Sequence, residues 1–142
     1  MKKLLLLITL CLLPLVGNAQ IHVSEHKSSS VVIAKGYHSL LSRTLGSYGI
    51  VVSSVSEWDS PITLELGNDK ETAIRNLSEI IDLYNSLEVG KVVKVSIGIC
   101  NYRIKRINMA LNLGVGRYGG DINITGRQLN KYLKALQKYA ED

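Results

Sequence analysis

Residues 62 to 87, ITLELGNDKETAIRNLSEIIDLYNSL, constrain the fold more than any other stretch, because strand, cap and helix follow one another without a break. Ile62, Leu64 and Leu66 alternate with Thr63 and Glu65, which places three apolar side chains on one face of a strand. Gly67 ends that strand. Asn68 and Glu71 stand at the spacing of a capping box, so a helix is expected to start there. Ile74, Leu77, Ile80, Ile81, Tyr84 and Leu87 then recur at helical spacing, with Lys70, Arg75, Glu79 and Asp82 largely on the opposite side. Such a helix must bury one face against something else.

The same grammar closes the chain. Thr125 and Gln128 make a second capping box, and Leu129, Tyr132, Leu133, Leu136 and Ala140 form a second apolar stripe beside Arg127, Lys131, Lys134 and Lys138. Between and before these helices, strands are expected at Val31 to Tyr37, Tyr48 to Val55, Lys91 to Cys100, Ile107 to Leu113 and Asp121 to Ile124. His38 to Gly46 suits either a helical turn or a strand. Asn101 to Arg106 reads as a basic connection or strand edge, and Gly114 to Gly120 as a glycine-rich loop or sharply bent hairpin. A phosphate loop would need a helix directly after those glycines, and a strand intervenes.

These elements predict an α+β domain: a mainly antiparallel sheet with two amphipathic helices packed on one face. Three strands and a helix are written twice, at about 31 to 87 and about 91 to 140, either as a duplicated βββα plan or as two similar units arising by chance.

Ahead of the domain, residues 1 to 19 have Lys2 and Lys3, an apolar core from Leu4 to Val16, and small residues at Gly17 and Ala19. This is the layout of a secretory signal peptide cleaved after Ala19, and its apolar run is shorter than the ~20 residues a spanning helix needs. The mature protein is therefore expected outside the cytoplasm, periplasmic or extracellular, without a transmembrane anchor. Residues 20 to 30 are polar and serine-rich, a flexible lead-in, and 31 to 142 form a single domain. Cleavage leaves Cys100 as the sole cysteine, so no intramolecular disulfide forms; the thiol is either buried and inert or available to another chain.

Catalytic and metal signatures are few. His22, Glu25 and His26 spell an inverted zinc-protease motif, but that chemistry needs both histidines on one helix face and a third ligand, and the lead-in has no helical apolar face. A free Gln20 amine with His22 third could wrap copper, although an N-terminal glutamine readily cyclises. No cofactor, metal or catalytic residue is assigned. A small hydrolase built on the loop carboxylates Glu57, Asp59, Glu65 and Asp121 is the alternative from a different class.

Charge carries the main functional signal. Residues 20 to 90 hold 5 basic and 9 acidic side chains, whereas 91 to 142 hold 10 basic and 3 acidic. The bland reading is solvated faces, or two halves that complement each other. The functional one is a patch drawn from Tyr102, Arg103, Lys105, Arg106, Arg117 and Tyr118, arginine and lysine for charge and tyrosine for stacking. For an exported protein, the expected partner is an anionic envelope glycan, a lipid headgroup or an acidic protein surface rather than nucleic acid. Self-assembly, acidic half on basic half, is a further expectation. Trp58 either caps the core or offers an exposed ring.

Overall fold

The computed structural model describes residues 29–56, 60–115 and 118–141, and of 118–121 the backbone alone. Residues 1–28, with the signal-peptide reading and most of the lead-in, lie outside the described residues, as do Trp58, Glu57, Asp59 and Arg117 and the side chains of Tyr118 and Asp121; the end of the lead-in is described, and Ser30 already belongs to the first strand.

The chain is built twice from the same parts, and each part has four strands. Strands β1 (Ser30–Gly36), β2 (Ser39–Thr44), β3 (Ser47–Val52) and β4 (Ile62–Gly67) form one antiparallel sheet in chain order, followed by helix α1 (Lys70–Ser86). Strands β5 (Val92–Ile97), β6 (Cys100–Ile107), β7 (Ala110–Val115) and β8 (Tyr118–Thr125) form a second sheet, also in chain order, followed by helix α2 (Gly126–Lys138). The architecture is α+β with two antiparallel sheets, and the expected βββα unit is corrected to ββββα. The added strands are β2, in the stretch after His38 that suited either a helical turn or a strand, and β6, in the stretch that read as a basic connection or strand edge.

Both added strands carry an arginine on their inward face. Arg43 of β2 lies over the Tyr48 ring at 5.7 Å, and Arg106 of β6 lies over the Tyr84 ring at 4.0 Å. Arg106 also donates to the carbonyls of Tyr84, Ile107 and Asn108. Stacking on an aromatic face lets a charged side chain point inward, which breaks the apolar alternation by which a strand is recognised. A second correction concerns residues 91 to 100: the strand ends at Ile97 and a tight turn follows, so Ile99 stands at the tip, 100% exposed, rather than on the apolar face.

Helix α1 is capped one residue later than the spacing suggested. Asp69 takes the extended N-cap conformation and its carboxylate accepts from the Thr72 N–H at 2.7 Å. Asn68 instead accepts from the Ser47 hydroxyl at 2.7 Å, tying the cap to the first sheet. The second capping box forms as expected, with the Thr125 hydroxyl accepting from Gln128 N–H and the Gln128 side chain accepting from Thr125 N–H.

One hydrophobic core joins the halves. Leu41, Ile50, Leu64 and Leu77 from the first half and Ile104, Leu113, Ile124 and Leu129 from the second belong to the same buried cluster. The helices pack on each other; α1 also lies on β3 and β4, and α2 lies on β1 and β8. Glycines permit two of the closest approaches: at Gly36 a Cβ would meet the Tyr132 hydroxyl of α2, and at Gly126 it would meet the Tyr84 ring of α1. The C-terminal segment is fastened to the first half, since Lys70 Nζ donates to the Tyr139 carbonyl at 2.6 Å and the Tyr48 hydroxyl donates to Glu141.

Candidate functional site

Strand alternation divides the charged residues of the second sheet between its two faces. Tyr102 and Arg106 point inward with Ile104, whereas Arg103 and Lys105 point outward with Asn101. Tyr102 is 2% exposed, and its hydroxyl donates to the Thr63 carbonyl at 3.0 Å while accepting from the Glu65 N–H at 2.9 Å. It therefore closes the free edge of β4 with a side chain of the other sheet, where the sequence suggested a surface stacking platform. Burial pushes the Tyr102 phenol up to about 12, against the Glu65 N–H that favours its ionised form. Arg106 is likewise occupied, as a brace between the β6–β7 turn and α1.

What remains outward is a compact cationic surface. Lys94 of β5 stands directly opposite Arg103, and Lys105 is framed by Val92 on one side and Asn112 on the other. Asn112 pairs with Asn123 of β8, whose side-chain oxygen accepts from the Asn112 amide at 2.9 Å. Ser96 donates to Asn101 at 2.6 Å along the rim. No carboxylate among the described side chains lies on this face. Arg103, Lys105 and Lys94 are all basic residues expected from the sequence, Lys94 on the wet side because it alternates with Val93 and Val95; Asn112 and Asn123 carry no such signal and join the face only through the strand register.

Like charges directly opposite on neighbouring strands repel, at a cost of roughly 0.2–1 kcal/mol. The pair Lys94–Arg103 is thus held together by the fold and not by local electrostatics. It is relieved by any anion that lies across both strands.

A different kind of site opens where α1 begins. A cavity of about 560 Å³ is lined by Glu65, Asp69, Thr72 and Asn76 and by the β5–β6 turn from Ile97 to Cys100. Of the carboxylates considered for hydrolysis, Glu65 is the one whose side chain is described, and it lines this cavity. Its neighbour Asp69 is held below the usual carboxylate range by the Thr72 N–H and hydroxyl, which suits a cap and leaves it without a proton to give at neutral pH. Cys100 is free and half-buried. Among the described residues, no three His, Cys, Asp or Glu side chains come together as a metal-binding group, and no helix is long and apolar enough to cross a membrane. Comparison with protein-family models, with curated proteins and with solved structures finds no match for this chain.

Proposed function

We propose that the protein is a small exported, non-enzymatic binding domain that captures an anionic polymer or surface, such as an acidic envelope glycan or a lipid headgroup, on the outward face of its second sheet. The observation that carries this reading is the juxtaposition of Lys94, Arg103 and Lys105 on adjacent strands, with asparagine amides beside them and no described carboxylate among them. An open sheet face suits a polymer or a surface better than a compact metabolite, and the amides offer hydrogen bonds to hydroxyl or phosphate oxygens. The signal-peptide layout of residues 1 to 19 supports a location where such anions are the abundant partners.

The test is binding of the purified chain to an acidic polysaccharide, polygalacturonate, and to phosphatidylglycerol vesicles, at low and high salt, beside the triple variant Lys94→Ser, Arg103→Ser, Lys105→Ser. A basic side chain near an anionic surface contributes about 1 kcal/mol, so the triple variant should bind about a hundred-fold more weakly, with unchanged folding. Binding that is insensitive to salt and to the triple variant would sink the reading.

A further inference from the structure

The two helices close their corners of the fold unequally. At the start of α2 the Tyr132 hydroxyl and Ser39 Oγ are 2.6 Å apart in a buried hydrogen bond, and Gln128 Nε2 donates to the Tyr37 carbonyl at 2.7 Å and to Ser39 Oγ at 2.9 Å. Lys131 Nζ adds a bond to the Lys35 carbonyl at 2.6 Å. Together these side chains fill the angle between α2 and the β1–β2 hairpin.

Counting from the two N-caps, Thr125 and Asp69, the residue matching Gln128 is Thr72 and the one matching Tyr132 is Asn76. Counting along the hairpins, Cys100 matches Ser39 and Ile97 matches Gly36. Smaller helix residues therefore stand where α2 carries its large ones, and Asn76 turns away to donate to the Leu66 carbonyl at 2.7 Å. The space left is the 560 Å³ cavity; a second of about 220 Å³ along Ile80, Leu83 and Val95 shares Asn76 and Ile97 with it. Its walls are apolar at Ile97 and Ile99 and polar at Thr72, Asn76 and Asp69, the composition of a small-molecule pocket. Ile99 is fully exposed.

We propose that this cavity binds a small aromatic ring carrying a hydroxyl, a phenol in chemical class, between α1 and the β5–β6 turn. The matching corner of the other half shows what such an angle accepts, since a tyrosine ring with its hydroxyl bonded to the hairpin fills it. Ile97 in place of Gly36 blocks the innermost position of that ring, so the ligand sits further out, against Ile99, with its hydroxyl toward Asn76 or Asp69. This site is independent of the cationic sheet face.

Titration of the full chain with 4-methylphenol, followed by amide NMR shifts and by the alkylation rate of Cys100, tests the site. Saturable shifts at Thr72, Asn76 and Ile97 to Cys100, about millimolar in affinity for so small a ligand, with slowed alkylation of Cys100, are the expected result. Asn76→Tyr, which supplies a ring from the chain itself, should weaken binding at least about ten-fold, and Ile99→Ser, a change at an exposed tip, about three-fold or more. N-acetyltyrosinamide as a second probe separates the sources: binding of both probes assigns a tyrosine borne on a peptide, and binding of 4-methylphenol alone assigns a free phenol. Absence of saturable shifts, or shifts unchanged by Ile99→Ser, would overturn the proposal, and should Asn76→Tyr fail to fold, Ile99→Ser decides.

Discussion

The two halves of the molecule agree where they face the core and differ where they face solvent. Inward, Ile50 and Leu64 of the first sheet answer Leu113 and Ile122 of the second, pair for pair across the third and fourth strands of each. Outward, counted from those same third strands, Leu40 and Ser42 of β2 stand where β6 has Arg103 and Lys105. The helix-bearing corners differ as well, one filled by Tyr132 and Gln128 and the other open beside Thr72 and Asn76. A shared core restricts inward positions to apolar volume and leaves outward ones free to change, so the differences mark where each half does something of its own.

The comparison is most sharply tested by shortening the matched helix residues. Tyr132 is fully buried with its hydroxyl bonded, so Tyr132→Ala should cost about 3–5 kcal/mol by urea denaturation. Asn76→Ala, at the matching position beside an existing cavity, loses one hydrogen bond and about 1 kcal/mol. Equal costs would mean that the two corners are packed alike, and the contrast drawn between them would fail.

The next effect in size is overpacking at a single methyl. Gly36→Ala places a Cβ against the Tyr132 hydroxyl and Ser39 Oγ and should destabilise by about 1–3 kcal/mol. At the matching Ile97 a full side chain is already tolerated, because no tyrosine reaches it. Pairing Gly36→Ala with Tyr132→Phe should recover part of the loss, a coupling readable in a double-mutant cycle.

Much of this plan was legible before the structure. The helical stripes, the Thr125–Gln128 capping box and the alternation within β4, β5 and β7 follow from periodicity, because each of those side chains is dictated by its own element; the same alternation ran on through two turns, where Ile99 and Met109 stand exposed. Strands β2 and β6 were legible only as one of two alternatives each, since Arg43 and Arg106 occupy inward positions that a stacked Tyr48 or Tyr84 makes tolerable, and those rings come from other elements. For the same reason Tyr102 read as a surface residue. Nothing in NYRIKR announces that its hydroxyl meets the backbone edge of β4, and nothing near Asn76 announces the cavity, which exists only as a difference from Tyr132 in the other helix.

Tyr102 itself supplies a smaller test. Its hydroxyl carries the second sheet across to the edge of β4. Tyr102→Phe should cost about 1 kcal/mol at neutral pH. Burial also raises its pKa from 10.0 to about 12, and burial together with the bond to Glu141 raises Tyr48 equally. Because the folded state favours the neutral phenol, that stability is fully present below pH 10 and is lost as pH rises toward 12. Phenylalanine at both positions should flatten the alkaline decline of the urea midpoint between those values, and an unchanged decline would show that the phenols do not control it.

The smallest effect concerns the outward face, and its sign is the informative part. Arg103→Ser removes the repulsion with Lys94 directly opposite. The free protein should gain roughly 0.2–1 kcal/mol at low ionic strength, and the gain should shrink toward zero at 1 M salt, where charges are screened beyond about 3 Å. The same substitution should weaken capture of an anionic polymer. A surface kept only for solubility gives nothing up when a repulsive charge is removed; a surface kept for binding loses affinity as it gains stability, and that opposition between the two readouts distinguishes the cationic face from an ordinary wet sheet.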